Sequence, residues 1–474
     1  MSKNKLIALA IAAALASPAA YAVDVTPTTP DVFPTNAITG NAIQVTNGDS
    51  ILIEAAATDN YLGRNTGYNI RVTLQGGAKF AAAVPAAAGI NGETVTVAGG
   101  GQIGDTSVTY SVVPAQGVVE GDGIKIAAFD FVIDNVGFLA NGGTLKIDVR
   151  VGDPVGGNEL ASTNGTTIAR GEQAWVVTYV APGNTDARID VGADSAKRLF
   201  SSDGTVNLAD TDLFNAGSVT VALNPALTAN MGLDPAVATA PLKITGEDFG
   251  PFLAANGGSV SLQSTALCDG SGTTIAATVA GDHLSASVAG STTVNDVNAN
   301  PFICFQADGD TTIDDQAIDA SLVVKQAGYT DSPNFTDSTD KLLAMMYNGA
   351  VKRVWHFNPS TNMDQQSYLR VSNSSTTGGL FTIDGTCDDG SAGNPVTFNL
   401  GAGKSILLTS QDIEEGNAAK GLTGAMGTCT ANGAAGVTAK RRLVITGEVG
   451  NMEVQNFLRN AAGGAINTNV NNAD

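Results

Sequence analysis

Basic residues are scarce in this chain: 24 lysines and arginines stand against 45 acids, giving a formal net charge of −21. A phosphate-binding surface needs a basic stripe, so nucleic acid is excluded as a partner. Histidine is rarer still, with two in 474 residues, and neither lies close in sequence to a cysteine. With no C-x-x-C and no HExxH pattern, a zinc centre is not expected. A G-x-S-x-G elbow is also missing, which removes the simplest serine-hydrolase reading. Beyond the first residues no apolar run is long enough for a transmembrane helix. Charged residues make up only 15% of the chain, yet Val, Ile, Leu and Phe are plentiful, which is not the composition of a disordered protein.

The chain begins with what reads as a bacterial export signal. Lys3 and Lys5 precede an apolar run from Leu6 to Leu15, too short to span a bilayer. Ala20 and Ala22 then satisfy the small-x-small rule for cleavage before Val23. Residues 1–22 are therefore expected to be removed, leaving an exported, still more acidic protein. In an oxidising compartment the four cysteines most simply form two disulfides. Position suggests Cys268–Cys304 and Cys387–Cys429, each inside one expected domain, whereas the alternative pairings cross a domain boundary.

Strand patterns dominate the body of the chain. Tyr68, Ile70, Val72 and Leu74 alternate with Asn69, Arg71 and Thr73, and Leu145, Ile147, Val149 and Val151 do the same against Lys146, Asp148 and Arg150. Phe129, Phe131 and Ile133 face one way, with Asp130 and Asp134 on the other. Turn clusters such as Asn141-Gly142-Gly143 separate these runs. The expectation is an all-β protein of tandem β-sandwich domains: 23–184, closing on a strand over 173–180, then 185–345 and 346–474. Phe138-Leu-Ala-Asn-Gly-Gly143 returns as Phe252-Leu-Ala-Ala-Asn-Gly-Gly258, each ahead of a strand, which fits either a distant duplication or chance.

Four stretches in the last quarter, VWHFNPSTNMDQQSYLRVSN, FTIDGTCDDGSAGN, LGAGKSILLTSQDIEEGNAAKGLTGAMG and RRLVITGEVGNMEVQNFLRN, together resemble a β-sandwich module that recurs at the C-terminal end of exported proteobacterial proteins. The resemblance implies export and a surface context, and it supplies no catalytic residues. Cys387 and Cys429 depart from the usual pattern and fit an added disulfide. The first stretch gathers Trp355, His356 and Phe357. In a regular strand Trp355 and Phe357 share the core face and His356 takes the other, and Asn358-Pro359-Ser360 ends the strand. A catalytic His356 would need a nucleophile and an orienting acid, and no motif supplies them. Structural packing is the expected role of this stretch, and of His283.

Other constellations are weaker. Carboxylate pairs could serve a glycosidase, but acids are too numerous for any one pair to stand out. Asp308, Asp310, Asp314 and Asp315 offer hard oxygen ligands in an expected turn, which suits calcium; a solvated acidic turn explains them equally well, and the spacing is not an EF-hand. Lys440-Arg441-Arg442 is the one strong basic cluster, either a solvated strand end or a contact for acidic patches on a neighbouring subunit or the cell surface. The chain as a whole resembles S-layer subunits. The resulting expectation is a structural, non-enzymatic protein of the bacterial cell surface that associates with itself as an oligomer or lattice. An adhesin that binds outer-membrane surface glycans is the alternative, and a secreted hydrolase follows.

Overall fold

The computed structural model describes residues 23–469 except 27–28, 39–41, 46–50, 56–66, 91, 115–123, 129–130, 154–158, 193–195, 207–209, 363, 430–439 and 461–465. The expected leader, with Ala20 and Ala22, lies outside the described residues, as do Phe129 and Asp130. Val23 opens the strand Val23–Thr26. The protein is all-β. Among the described residues α-helix is confined to α1 (Val294–Ala299) and α2 (Ser410–Glu415). Both open with a capping box, Thr293 with Asp296 and Thr409 with Asp412. These caps satisfy N–H groups that helices of this length cannot satisfy internally. No helix among the described residues is long and apolar enough to cross a membrane.

The contacts group the chain into two compact units, 1–177 with 221–240 and 323–333, and 178–220 with 241–322 and 334–474. The first unit is discontinuous because later segments hydrogen-bond back to its first strands. Val32 N donates to Thr228 Oγ1 at 2.9 Å, and Asn36 Nδ2 donates to the Thr330 carbonyl at 3.1 Å. Its largest sheet has six strands, in the order Asp31–Pro34, Glu159–Glu172, Thr144–Gly152, Tyr68–Leu74, Ser107–Val113 and Thr94–Gly100. Tyr68, Ile70, Val72 and Leu74 are all buried, as are Leu145, Ile147, Val149 and Val151, so the period-two apolar sets face one core.

An eight-stranded sheet follows. It begins at Trp175–Val180, then Leu213–Leu223, Phe302–Gln306 and Ser259–Gln263, and continues to Asp319–Leu322. The strand that sequence alone places at the end of the first segment is thus an edge of this sheet. Tyr179 is buried there and its hydroxyl donates to the Phe335 carbonyl at 3.1 Å. Beneath the sheet Phe200 stacks on Phe214 at 4.9 Å between centroids, and Phe305 meets Phe252 at 5.1 Å and Phe249 at 5.5 Å. Such pairs each add about 0.5–1.5 kcal/mol beyond the area they bury.

The recurring Phe-Leu-Ala-(Ala)-Asn-Gly-Gly stretch has a local physical cause. Both copies form a 3-10 turn closed by a left-handed glycine, Gly142 at φ 75° and Gly257 at φ 95°. A Cβ on the next glycine would lie 2.6 Å from the Phe138 carbonyl oxygen in one copy and 2.7 Å from Phe252 Cα in the other. Each glycine pair is therefore required by its turn.

The C-terminal segment is a sandwich of two four-stranded sheets. Its strands are β1 (Ala350–Phe357), β2 (Gln365–Asn373), β3 (Gly379–Cys387), β4 (Val396–Leu400), β5 (Ser405–Thr409), β6 (Arg441–Gly447), β7 (Met452–Asn460) and β8 (Ile466–Asn469). One sheet runs β1-β6-β3-β4 and the other β5-β2-β7-β8. Between them Phe357, Phe381, Ile383, Leu443 and Ile445 meet Leu369, Val371, Leu408 and Val454 in one apolar cluster.

Candidate functional site

The Trp-His-Phe stretch owes its geometry to a β-bulge. β1 and β6 pair regularly from Ala350↔Gly447 to Val354↔Leu443, and then Phe357 pairs with Arg441. Three residues on β1 thus advance against two on β6, which breaks the alternation. Val354 and Phe357 both point inward, at 2% and 1% exposure, while Trp355 is 60% exposed. The expectation that Trp355 fills the core is corrected accordingly. His356 is half-buried, and burial lowers its pKa, with Lys440 adding to the effect and an Asn358 hydrogen bond opposing it. Its carbonyl accepts from Asn456 Nδ2 at 2.7 Å. The groups acting on the imidazole are Lys440, Asn358 and Asp388. His283 occupies a left-handed turn position at φ 60°, and its N–H donates to the Ala280 carbonyl at 3.0 Å.

The disulfides are Cys268–Cys304 and Cys387–Cys429, with Cα separations of 5.4 and 5.7 Å. The basic cluster splits around the second of them. Lys440 and Arg442 are exposed, whereas Arg441 is 3% exposed and turned inward. Its Nε and Nη2 approach Cys429 Sγ at 3.3 and 3.2 Å, and Nη2 donates to the Gly427 carbonyl at 2.9 Å. Gly385 makes room for it, because a Cβ there would lie 2.7 Å from Arg441 Cδ.

Of the four aspartates proposed for calcium, Asp308 and Asp314 are engaged separately. Asp308 accepts from the Asp310 and Thr311 N–H groups at 2.9 and 2.7 Å and from the Thr311 hydroxyl at 2.6 Å. Burial would raise its pKa, but these hydrogen bonds outweigh that and hold it below the usual carboxylate range. Asp314 Oδ1 instead receives Arg353 Nη2 at 2.8 Å and the Tyr347 hydroxyl at 3.0 Å. Asp310 is exposed and Asp315 half-buried. Among the described residues no group of three or more acidic, histidine or cysteine side chains is placed to hold a metal ion.

What the structure does assemble is an aromatic and cationic face on the β5-β2-β7-β8 sheet. Along β2, Ser367, Leu369, Val371 and Asn373 are buried, so Gln366, Tyr368, Arg370 and Ser372 take the outer side. Tyr368 lies opposite Phe457 on β7, and Arg370 lies opposite Leu407 on β5. Two Ar-x-Arg pairs, Tyr368 with Arg370 and Phe457 with Arg459, therefore run antiparallel. The two aromatic residues stand at the same level of the paired strands, with an arginine two residues away on either side, the arginine Cα positions being about 14 Å apart along the strands. Tyr368, Arg370, Ser405, Ile406, Leu407, Phe457 and Arg459 line a shallow concavity of about 540 Å³. Leu407 is 48% exposed. Both arginines are exposed, and among the described residues neither forms an ion pair. Sequence reading missed this face. Its signal was the repeated Ar-x-Arg spacing, but only the strand pairing brings the two copies together.

Neither the models of known protein families nor the curated proteins include a match to this chain. Among solved structures it is similar to a Corynebacterium diphtheriae protein described as membrane anchored, at 9% identity over 95% of this chain and 89% of that one, with a TM-score of 0.21. Domains 5–6 of the S-layer protein SbsC align at 14% identity over 70% of this chain and 99% of that chain, with a TM-score of 0.14. A marsupial T cell receptor aligns at 9% identity over 94% and 99%, with a TM-score of 0.19. Likenesses of this size carry no argument about function.

Proposed function

We propose that the chain is an exported structural protein of the bacterial cell surface, an S-layer-type subunit that associates non-covalently with copies of itself and catalyses no reaction. The observation that carries this reading is the Tyr368–Arg370–Leu407–Phe457–Arg459 face on a chain of net charge −21. Copies of so acidic a protein repel one another over most of their surface. A face with two guanidinium groups that form no ion pair among the described residues, set around two rings, is where an acidic neighbour is attracted instead. Tyrosine, phenylalanine and arginine are also the side chains enriched at the centres of protein interfaces. Two disulfides suit an oxidising compartment. A second reading, an adhesin for acidic surface glycans, draws on the same concavity, whose rings and guanidinium groups also suit a carboxylated sugar.

Negative-stain microscopy of the purified chain distinguishes the two readings when paired with an acidic-glycan array. Regular lattices or fibres without glycan support the structural subunit. Monodisperse particles that bind acidic glycans support the adhesin.

A further inference from the structure

Arg441 is an unusual neighbour for a disulfide. The guanidinium is almost completely buried, and among the described residues no carboxylate forms an ion pair with it. Its Nε and Nη2 both point at Cys429 Sγ, at 3.3 and 3.2 Å, and Nη2 lies 3.8 Å from Cys387 Sγ. Nη1 is buried and has no hydrogen-bond partner among the described residues. A disulfide sulfur is a weak acceptor, so in the oxidised protein this buried cation has the attraction of Glu414, which forms no ion pair with it, and no negative charge in direct contact. A thiolate at Cys429 would accept the same two N–H groups as charge-assisted bonds and place a negative charge in direct contact with the guanidinium. No cationic side chain donates to either sulfur of Cys268–Cys304 among the described residues.

We propose that Cys387–Cys429 is a site of thiol–disulfide exchange with an external dithiol, and that Arg441 holds Cys429 as the product thiolate. Cys387 is buried and Cys429 half-buried, so the incoming thiolate attacks Cys429 Sγ. The Cys387–Cys429 bond breaks, a mixed disulfide forms on Cys429, and Cys387 leaves with the electron pair and takes up a proton. The second thiol of the dithiol, deprotonated, attacks the reagent's own sulfur in that mixed disulfide. The dithiol is oxidised to its cyclic disulfide, and Cys429 is released as a thiolate against Arg441. Two electrons have passed from the dithiol to the protein, and one proton is released to solvent. A monothiol carries out only the first step and stays attached to Cys429.

The full oxidised chain would be titrated with dithiothreitol under native conditions, and each cysteine would be followed by alkylation and peptide mass mapping. The 387–429 bond is expected to open at least tenfold faster than the 268–304 bond. Glutathione should leave its adduct on Cys429. In the reduced protein, the pH profile of Cys429 alkylation should lie below the ordinary thiol value of about 8.5, rise in Arg441→Gln and return part of the way in Arg441→Lys. Opening of both bonds together, an adduct on Cys387, or an ordinary pH profile for Cys429 would overturn the proposal. Should Arg441→Gln lose its cooperative melting, the wild-type profile and the ratio of the two opening rates decide the question alone.

Discussion

Replacing Phe357 with alanine should cost the C-terminal sandwich about 3–5 kcal/mol, the range for deleting a fully buried aromatic ring, whereas replacing Trp355 should change its stability by less than about 0.5 kcal/mol. The contrast follows from the bulge. Phe357 lies in one cluster with Val354, Phe381 and Leu443 at 1% exposure, while its larger neighbour is 60% exposed. Few domains have more than about 5–15 kcal/mol in reserve, so Phe357→Ala should bring the urea midpoint down sharply with little change in slope. Circular dichroism is the better probe, because one variant removes a tryptophan and fluorescence would be altered for trivial reasons. A regular β1 without the extra residue would put Trp355 and Phe357 on the same face, and the two variants would then behave alike. A loss of about 3 kcal/mol or more in Trp355→Ala, or similar losses in the two variants, would refute the bulge and the register drawn from it.

Asp412 gives a pH-dependent test. Burial would raise its pKa, but bonds from Lys420, the Thr409 N–H and Asn417 outweigh this and hold it down to about 2. The stability it contributes, on the order of 1–2 kcal/mol, is fully present above the unfolded value near 4 and is lost as pH falls through about 2. Asp412→Asn should therefore lower the melting temperature at pH 7 and flatten its decline in acid. Removing the first disulfide by Cys268→Ser with Cys304→Ser opens a 36-residue loop and should cost about 3–4 kcal/mol in the chain-entropy model, read by calorimetry. Because Asp308 and Asp314 are already satisfied by protein donors, isothermal titration with millimolar calcium should give no saturable heat that Asp308→Asn abolishes. A stoichiometric, Asp308-dependent isotherm would revive that site.

Much of the architecture was legible because period-two burial is written into single strands. The sets Tyr68 to Leu74 and Leu145 to Val151 each carry their own face assignment, and both are buried as read. What escaped depends on partners distant in sequence. The bulge at Trp355 arises from how β1 meets β6, and nothing between Val354 and Phe357 announces an added residue. Trp175–Val180 reads as a strand from its own residues, but which sheet it joins is decided by Leu213–Leu223. Lys440-Arg441-Arg442 reads as a solvated strand end or a contact for acidic patches, yet a strand alternates, and the central arginine is the one turned inward. The candidate face needed the pairing of β2 with β7 to become visible, since Tyr368 and Phe457 are 89 positions apart and meet only through that register.

The central claim is that acidic copies of this chain associate through the aromatic–arginine face, and sedimentation velocity on the purified chain tests it most directly. Wild-type protein should show concentration-dependent association that weakens as sodium chloride rises, because exposed charge pairs are screened over about 10 Å at 0.1 M salt. Arg370→Glu with Arg459→Glu places two acids on the same outer face without touching the buried side of β2 or β7, so the variant should melt as the wild type does and sediment as a monomer. A wild-type chain that stays monomeric at every salt and concentration would contradict self-association. Association unchanged in the charge-reversed variant would contradict the face assigned to it.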